Sequence, residues 1–190
     1  MITAIFGVVL LFSMPASPWE FDEPLFFQGL SDYDPVAHHP PPPGYPVFMG
    51  VGKVVRLFAP TDFAALRAIS VAGSLLAFVM FALAFRNLSG DLATGIVAAA
   101  LFYGSPAMLV HAALPISEPG ALALLAAALY FGTRGSPVLF ALFAALTVGW
   151  RIQFAIFVVP LFLVQLVVMR RWRDRLLALG AFTVVCLVWL

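Results

Sequence analysis

The chain has 190 residues, 63% of them hydrophobic and 10% charged, with a mean hydropathy of +1.05. An ordinary soluble domain is nearer half apolar and a quarter charged, so the composition is that of an integral membrane protein. Ten basic residues against nine acidic leave a net charge of +1, too thin a positive surface to hold a nucleic-acid backbone, which excludes DNA and RNA as partners. A single cysteine, Cys186, excludes a disulfide framework and a cysteine-built zinc site; lying in an apolar run, it reads as a packing residue.

Spans of roughly 20 residues joined by short loops leave room for about six or seven transmembrane helices. Residues 2–14 form the first apolar segment. It reads as a retained helix, because no basic residue precedes it, although Ala16-Ser17 keep the cleavage of a signal peptide open. Residues 15–62 change character, with Glu20, Asp22, Glu23, Asp32, Asp34, His38, His39 and the run Pro40-Pro41-Pro42-Pro43-Gly44-Tyr45-Pro46. They cannot cross a bilayer and form a long first extracytoplasmic loop. The proline run is neither helix nor central strand, since proline lacks the donor and fixes its own dihedral. Residues 47–58 within this loop carry Lys53 and Arg56 three apart on an apolar background, the pattern of an amphipathic helix lying in the interface.

Six further apolar stretches follow, at residues 64–85, 92–113, 119–131, 136–150, 152–169 and 176–190. The expected fold is all-α: a polytopic membrane bundle of about seven transmembrane helices forming a single domain over residues 1–190. The last stretch stops in mid-run at Trp189-Leu190, so the chain reads as the front portion of a longer protein. No internal repeat supports an inverted-repeat transporter.

The arginines set the topology. With Arg86, Arg134 and the cluster from Arg170 to Arg175 in the cytoplasm, alternation puts the 15–62 loop, the turn at residues 111–118 and Arg151 on the opposite face. Trp150 and Trp172 then fall in the two interfacial belts. Asp22, Glu23, His38, His39, Glu118 and Arg151, drawn from three loops, share the extracytoplasmic face, and ionisable groups gathered at a membrane boundary are a functional hypothesis by default.

Asp22-Glu23 is an adjacent acid pair able to offer one carboxylate to a reacting hydroxyl and the other to an orienting partner; simple solvation also explains it. Glu118, in Ile116-Ser117-Glu118-Pro119, either caps the next helix together with the Ser117 hydroxyl or binds substrate. Arg151 has no acidic neighbour in sequence and either grips an anion through parallel donors or snorkels to the interface, and the same pair of readings applies to Arg67. Adjacent histidines rarely point the same way, so His38 and His39 suit contact with a lipid phosphate better than a metal. His111 reads as interfacial packing.

The motifs Phe21-Asp22-Glu23-Pro24, His39 to Pro46, Leu66-Arg67-Ala68-Ile69-Ser70, Leu101 to Pro106, Ile116 to Pro119 and Gly149-Trp150-Arg151 with Pro160 occur in an order and spacing that extend over essentially the whole chain. In this the chain resembles the C-type integral-membrane glycosyltransferases, nearest to the protein O-mannosyltransferases and the aminoarabinose-type transferases. The resemblance implies an enzyme of the bacterial plasma membrane, active on the extracytoplasmic face, that moves a sugar from a polyprenyl-phosphate donor to a hydroxyl of a lipid, glycan or protein. It implies Asp22 as general base with Glu23 as its partner, and His39 and Arg151 near the donor phosphate. Glu118 would contact acceptor or sugar, and His38, Tyr45 and Arg67 complete the expected binding set. No cofactor is implied, and assistance by a divalent cation is left open. Members of this family have more helices than 190 residues provide. Two other readings compete. A small transporter or channel would use the same acids in its outer vestibule but calls for ionisable groups at mid-bilayer, where the helices carry little beyond Arg67. A non-catalytic fragment would keep the fold without the chemistry.

Overall fold

The computed structural model describes residues 2–12 and 16–189, which form ten α-helices and no strand beyond an isolated Asp34–His39 bridge. In chain order these are α1 (Ile2–Phe12), α2 (Glu23–Ser31), α3 (Pro46–Arg56), α4 (Asp62–Ser89), α5 (Leu92–Tyr103), α6 (Pro106–His111), α7 (Glu118–Thr133), α8 (Pro137–Trp150), α9 (Ala155–Val168) and α10 (Trp172–Trp189), with a 3-10 turn at Ile152–Phe154 leading into α9.

The helix ends follow from local chemistry. Thr61 Oγ1 accepts from Ala64 N at 3.1 Å to open α4, Asp62 and Arg86 complement its dipole at the two ends, and Gly90 closes it at φ 79°, a conformation glycine adopts without penalty. Asp91 then opens α5, its carboxylate accepting from Thr94 N at 2.7 Å and from Thr94 Oγ1 at 2.8 Å. Pro46 and Pro137 sit at the first position of α3 and α8, where a missing N–H costs nothing.

The all-α expectation holds, with two local differences. The apolar stretch at residues 92–113 is not one helix but two, because Ser105 is extended (φ −68°, ψ 139°) as the residue before Pro106 prefers, and its Oγ accepts from Met108 N at 3.4 Å to start α6. The 15–62 loop holds a second helix, α2, whose Phe26 and Leu30 are buried one turn apart while Pro24 occupies its first turn.

α4 is the axis of the bundle and runs parallel to α7. Ser70 Oγ donates to Ile116 O at 3.0 Å and Ser74 Oγ to Ala112 O at 2.9 Å near the start of α7, while Asn87 Nδ2 donates to Thr133 Oγ1 at 3.0 Å near its end. The helices touch most closely at Gly73, where an added Cβ would lie 2.9 Å from the backbone of Pro119 and Gly120. α1 packs on α4 and α5 through Phe6, whose ring centroid is 5.1 Å from both Phe78 and Tyr103. Further along, Phe140, Phe162 and Phe182 stack α8, α9 and α10 together.

Among the described residues α4 is the one helix both long and apolar enough to cross a membrane, with 28 residues that include an 18-residue stretch of mean hydropathy 2.3; Leu92–Tyr103, Pro137–Trp150 and Ile152–Val168 are apolar but shorter. Large apolar side chains cover the outside, among them Ile156, Val159, Leu163 and Val167 on α9 and Leu176, Val184 and Leu187 on α10. Charged groups collect at the two ends. One end carries Arg86, Arg134 and the Arg170 to Arg175 turn; the other carries the 16–61 segment, Glu118 and Arg151.

Candidate functional site

The start of α7 and the end of α8 meet at the second of these ends. Trp150 Nε1 donates to Ser117 O at 2.8 Å, and its ring lies so close to α7 that a Cβ at position 120 would come within 2.2 Å of Cζ2. Only glycine fits there. Phe48 of α3 backs the indole at 5.4 Å between ring centroids. Beyond Trp150 the backbone of Arg151 is extended (φ −153°, ψ 107°), which turns the chain out of α8.

Arg151 Nη2 lies 3.0 Å from Glu118 Oε1, Nη1 donates to Ser117 Oγ at 2.6 Å, and the guanidinium sits 5.5 Å from the Tyr45 ring centroid. Arg151, Glu118 and Tyr45 thus come together from three separate segments, as predicted candidates of one site. Ser117 does not cap α7 with its hydroxyl as expected; the oxygen instead accepts from Arg151 and faces Glu118 Oε2 at 3.5 Å. A guanidinium has five N–H donors in a planar fork, so these contacts leave donor capacity for an anion. Tyr45 reaches the group from a left-handed backbone, φ 50°, with its ring edge-on to Phe26 at 5.2 Å.

Beneath Glu118 lies a cavity of about 520 Å³, lined by Ser74, Phe81, Phe102, Tyr103, Met108, His111, Leu122, Leu125 and Phe157 among others. Its wall is almost wholly apolar, and Glu118, His111 and the Tyr103 phenol are the ionisable groups in it. His111 Nδ1 is 2.7 Å from Ala107 O, and Nε2 faces Glu20 Oε1 at 3.8 Å, which ties the 16–23 segment to the cavity rim. On the other side of α7, Val51, Val55, Ala68, Ala72, Leu76, Ala123 and Trp150 line a second apolar groove of about 430 Å³.

The acid pair divides. Asp22 is exposed and its side chain does not cap α2. Glu23 is fully buried, and its two carboxylate oxygens accept from Trp19 N and Glu20 N, each at 3.1 Å. Burial pushes the Glu23 carboxyl above its usual range, against the lowering effect of the two backbone N–H groups. Glu23 is therefore a fastening of the loop, not a group open to a substrate. His38 is exposed with φ 65°, while His39 pairs its backbone with Asp34 and sets Nδ1 3.6 Å from Asp32 Oδ2. Arg67 lies over the Phe63 ring at 5.0 Å. No three His, Cys, Asp or Glu side chains converge as a metal site among the described residues.

Sequence reasoning missed Glu20, which is the acid that meets the cavity rim, and read His111 as packing. A signal existed for His111: it stands one turn after Ala107 on a short helix opened by Ser105-Pro106, at the end shared with Glu118. In comparisons with known proteins, no family model matches the chain, nor does any curated protein or solved structure.

Proposed function

We propose that the chain carries the reacting groups of an integral-membrane glycosyltransferase that moves a sugar from a polyprenyl-phosphate donor to a hydroxyl of a lipid, glycan or protein acceptor. The observation that carries this reading is the Arg151–Glu118–Ser117 group at the rim of the apolar cavity. An amphiphile with an anionic head and a hydrocarbon tail is the ligand chemistry such a junction suits.

In the proposed step the acceptor oxygen forms a bond to the anomeric carbon, the bond from that carbon to the phosphate oxygen breaks, and the proton of the hydroxyl passes to a carboxylate. The polyprenyl phosphate leaves with the bonding electron pair, and Arg151 stabilises that charge in exchange for part of its contact with Glu118. Asp22 is the proposed base, since its neighbour Glu23 is committed to two backbone N–H groups.

The same reading places the chain in the plasma membrane as a bundle of about seven spans. Support comes from the apolar outside of α9 and α10 and from the spacing of the two charged ends. Ser70 and Asn87, which mark those ends on α4, are separated by about 26 Å of helix at 1.5 Å per residue, close to the hydrocarbon thickness of a bilayer. Helices α7 to α9 are short because they run only from one charged end to the other. The arginine-rich end is then cytoplasmic and the Glu118–Arg151 end extracytoplasmic.

Transfer of labelled sugar from a polyprenyl-phosphate donor, measured in vesicles carrying the protein and an extract of membrane acceptors, tests the proposal. Asp22→Asn is expected to abolish transfer while leaving the helical content and thermal unfolding unchanged. Near-normal transfer by that variant overturns the assignment of the base, and absence of donor binding by the unaltered protein overturns the function.

A further inference from the structure

The two charged ends of the bundle treat their cations differently. At the Glu118 end the lysine and the arginines are engaged: Arg151 by Glu118, Arg56 by Asp62 and by Ala59 O at 2.8 Å, Lys53 over the Tyr33 ring at 5.4 Å and Arg67 over Phe63. At the opposite end Arg86, Arg134, Arg170, Arg171 and Arg173 are all exposed and enter no ion pair or side-chain hydrogen bond among the described residues. Arg175 is held there by donating Nε to Met169 O at 2.9 Å. The acids available to the free arginines are few. The Asp91 carboxylate is taken up by Thr94, which holds it below the usual carboxylate range, and Asp174 is half-buried beside the 170–175 turn.

A cleft of about 260 Å³ with a mixed wall opens beside Arg170, between the turn joining α7 to α8 and the turn joining α9 to α10, and Ser136, Gln165, Val168, Met169 and Asp174 also line it. The surface that continues from it along α9 and α10 is apolar, with Val167, Val168 and Leu176 exposed, and Trp172 stands beside the turn with 67% of its surface open. Positive charge without protein partners, a cleft with a hydroxyl and an amide, and an apolar flank leading away from it make one continuous surface.

We propose that this end of the bundle binds an anionic phospholipid, its phosphate held by Arg170 with Arg171 and Arg173, its polar head in the cleft against Ser136 and Gln165, and its acyl chains along α9 and α10. The proposal rests on the membrane-embedded reading above and is independent of the sugar chemistry at the opposite end. Five exposed arginines with no acidic partner carry an excess charge that anionic lipid neutralises, and a soluble anion would leave the apolar flank uncovered. Asp174 in the same wall supplies an acceptor for a headgroup hydroxyl, which a phosphatidylglycerol carries and a phosphatidylcholine lacks.

The test uses the full chain in neutral detergent, titrated with phosphatidylglycerol or phosphatidylcholine while retained lipid is counted by native mass spectrometry, followed by incorporation into vesicles of phosphatidylcholine alone. Phosphatidylglycerol is expected to be retained in preference. Each arginine near an anionic surface contributes a factor of about five in affinity, so the triple change Arg170→Gln, Arg171→Gln and Arg173→Gln is expected to weaken retention on the order of a hundredfold. The triple change to lysine keeps most of it. None of the three side chains is used in the fold, so the helical content of both variants should match that of the unaltered protein. Equal retention of the two lipids, or undiminished retention by the glutamine variant, overturns the lipid site while incorporation into vesicles still upholds the membrane reading. A chain that enters neither vesicle nor detergent micelle overturns both.

Discussion

The guanidinium of Arg151 reaches across from the end of α8 to the start of α7 and sets Nη2 3.0 Å from Glu118 Oε1, with Ser117 Oγ at 2.6 Å from Nη1. Both charged side chains are about three-quarters covered, at 21% and 32% exposure, so the pair is screened less than a surface ion pair but is not sealed from water. A double-mutant cycle of Arg151→Gln and Glu118→Gln, read by thermal unfolding, should give a coupling of about 1 kcal/mol. On donor binding the two single variants should diverge. Arg151→Gln weakens retention of a polyprenyl phosphate by roughly tenfold through the loss of a charge-assisted contact, whereas Glu118→Gln strengthens it, because the phosphate no longer competes with a carboxylate.

Gly120 faces the Trp150 indole with no room for a methyl group. Gly120→Ala should destabilise the protein by about 1–3 kcal/mol, as overpacking of a close contact does, and Trp150→Phe in the same chain should recover part of that loss although alone it removes the hydrogen bond to Ser117 O. Unfolding midpoints of the three variants check this; an alanine variant as stable as the parent contradicts the packing.

Ser70 and Ser74 each place a buried hydroxyl on a carbonyl of the 112–116 segment. Changing either to alanine orphans a buried acceptor and should cost about 1 kcal/mol, and the double change should depart from the sum of the two, since bonds on neighbouring turns of α4 that fasten one short segment are coupled. Hydrogen exchange of the amides at Ala113 and Ile116 should rise with the same variants.

Glu23 gives the chain a pH signature. Its carboxyl is raised in the folded protein, so the stability linked to its protonated form is fully present below the ordinary glutamate range and is lost as pH rises through the raised value. Unfolding of the unaltered protein should therefore show a component that weakens on going upward from acid toward neutral pH. Glu23→Gln should remove that component while loosening the 19–23 turn, because an amide accepts through one oxygen where the carboxylate used two.

Much of the fold was legible in the residues. Hydropathy located α4 and α8 to within a few positions, and the spacing of Lys53 and Arg56 located α3. Segments with apolar residues on most faces could not announce where a helix breaks, so Gly104-Ser105-Pro106 passed as part of one stretch even though a proline preceded by a serine is a helix start. α2 was hidden by the acids around it, with Phe26 and Leu30 the sole trace of its buried side. At the site, Glu118 and Arg151 were each legible as ionisable groups lacking a local partner, but their mutual contact depends on how α7 packs against α8, which adjacent sequence does not encode. The division of Asp22 from Glu23 was illegible for a similar reason: successive residues entering a helix point about 100° apart, so neighbours in sequence need not share a task.

The contact of α4 with α7 at Gly73 has a mechanical meaning. The two backbones meet there with no side chain between them, and the cavity beside Glu118 and the groove beside Trp150 lie on opposite flanks of α7. Helix α7 is therefore the single partition between the two apolar spaces, and it is clamped to α4 at the level where both open.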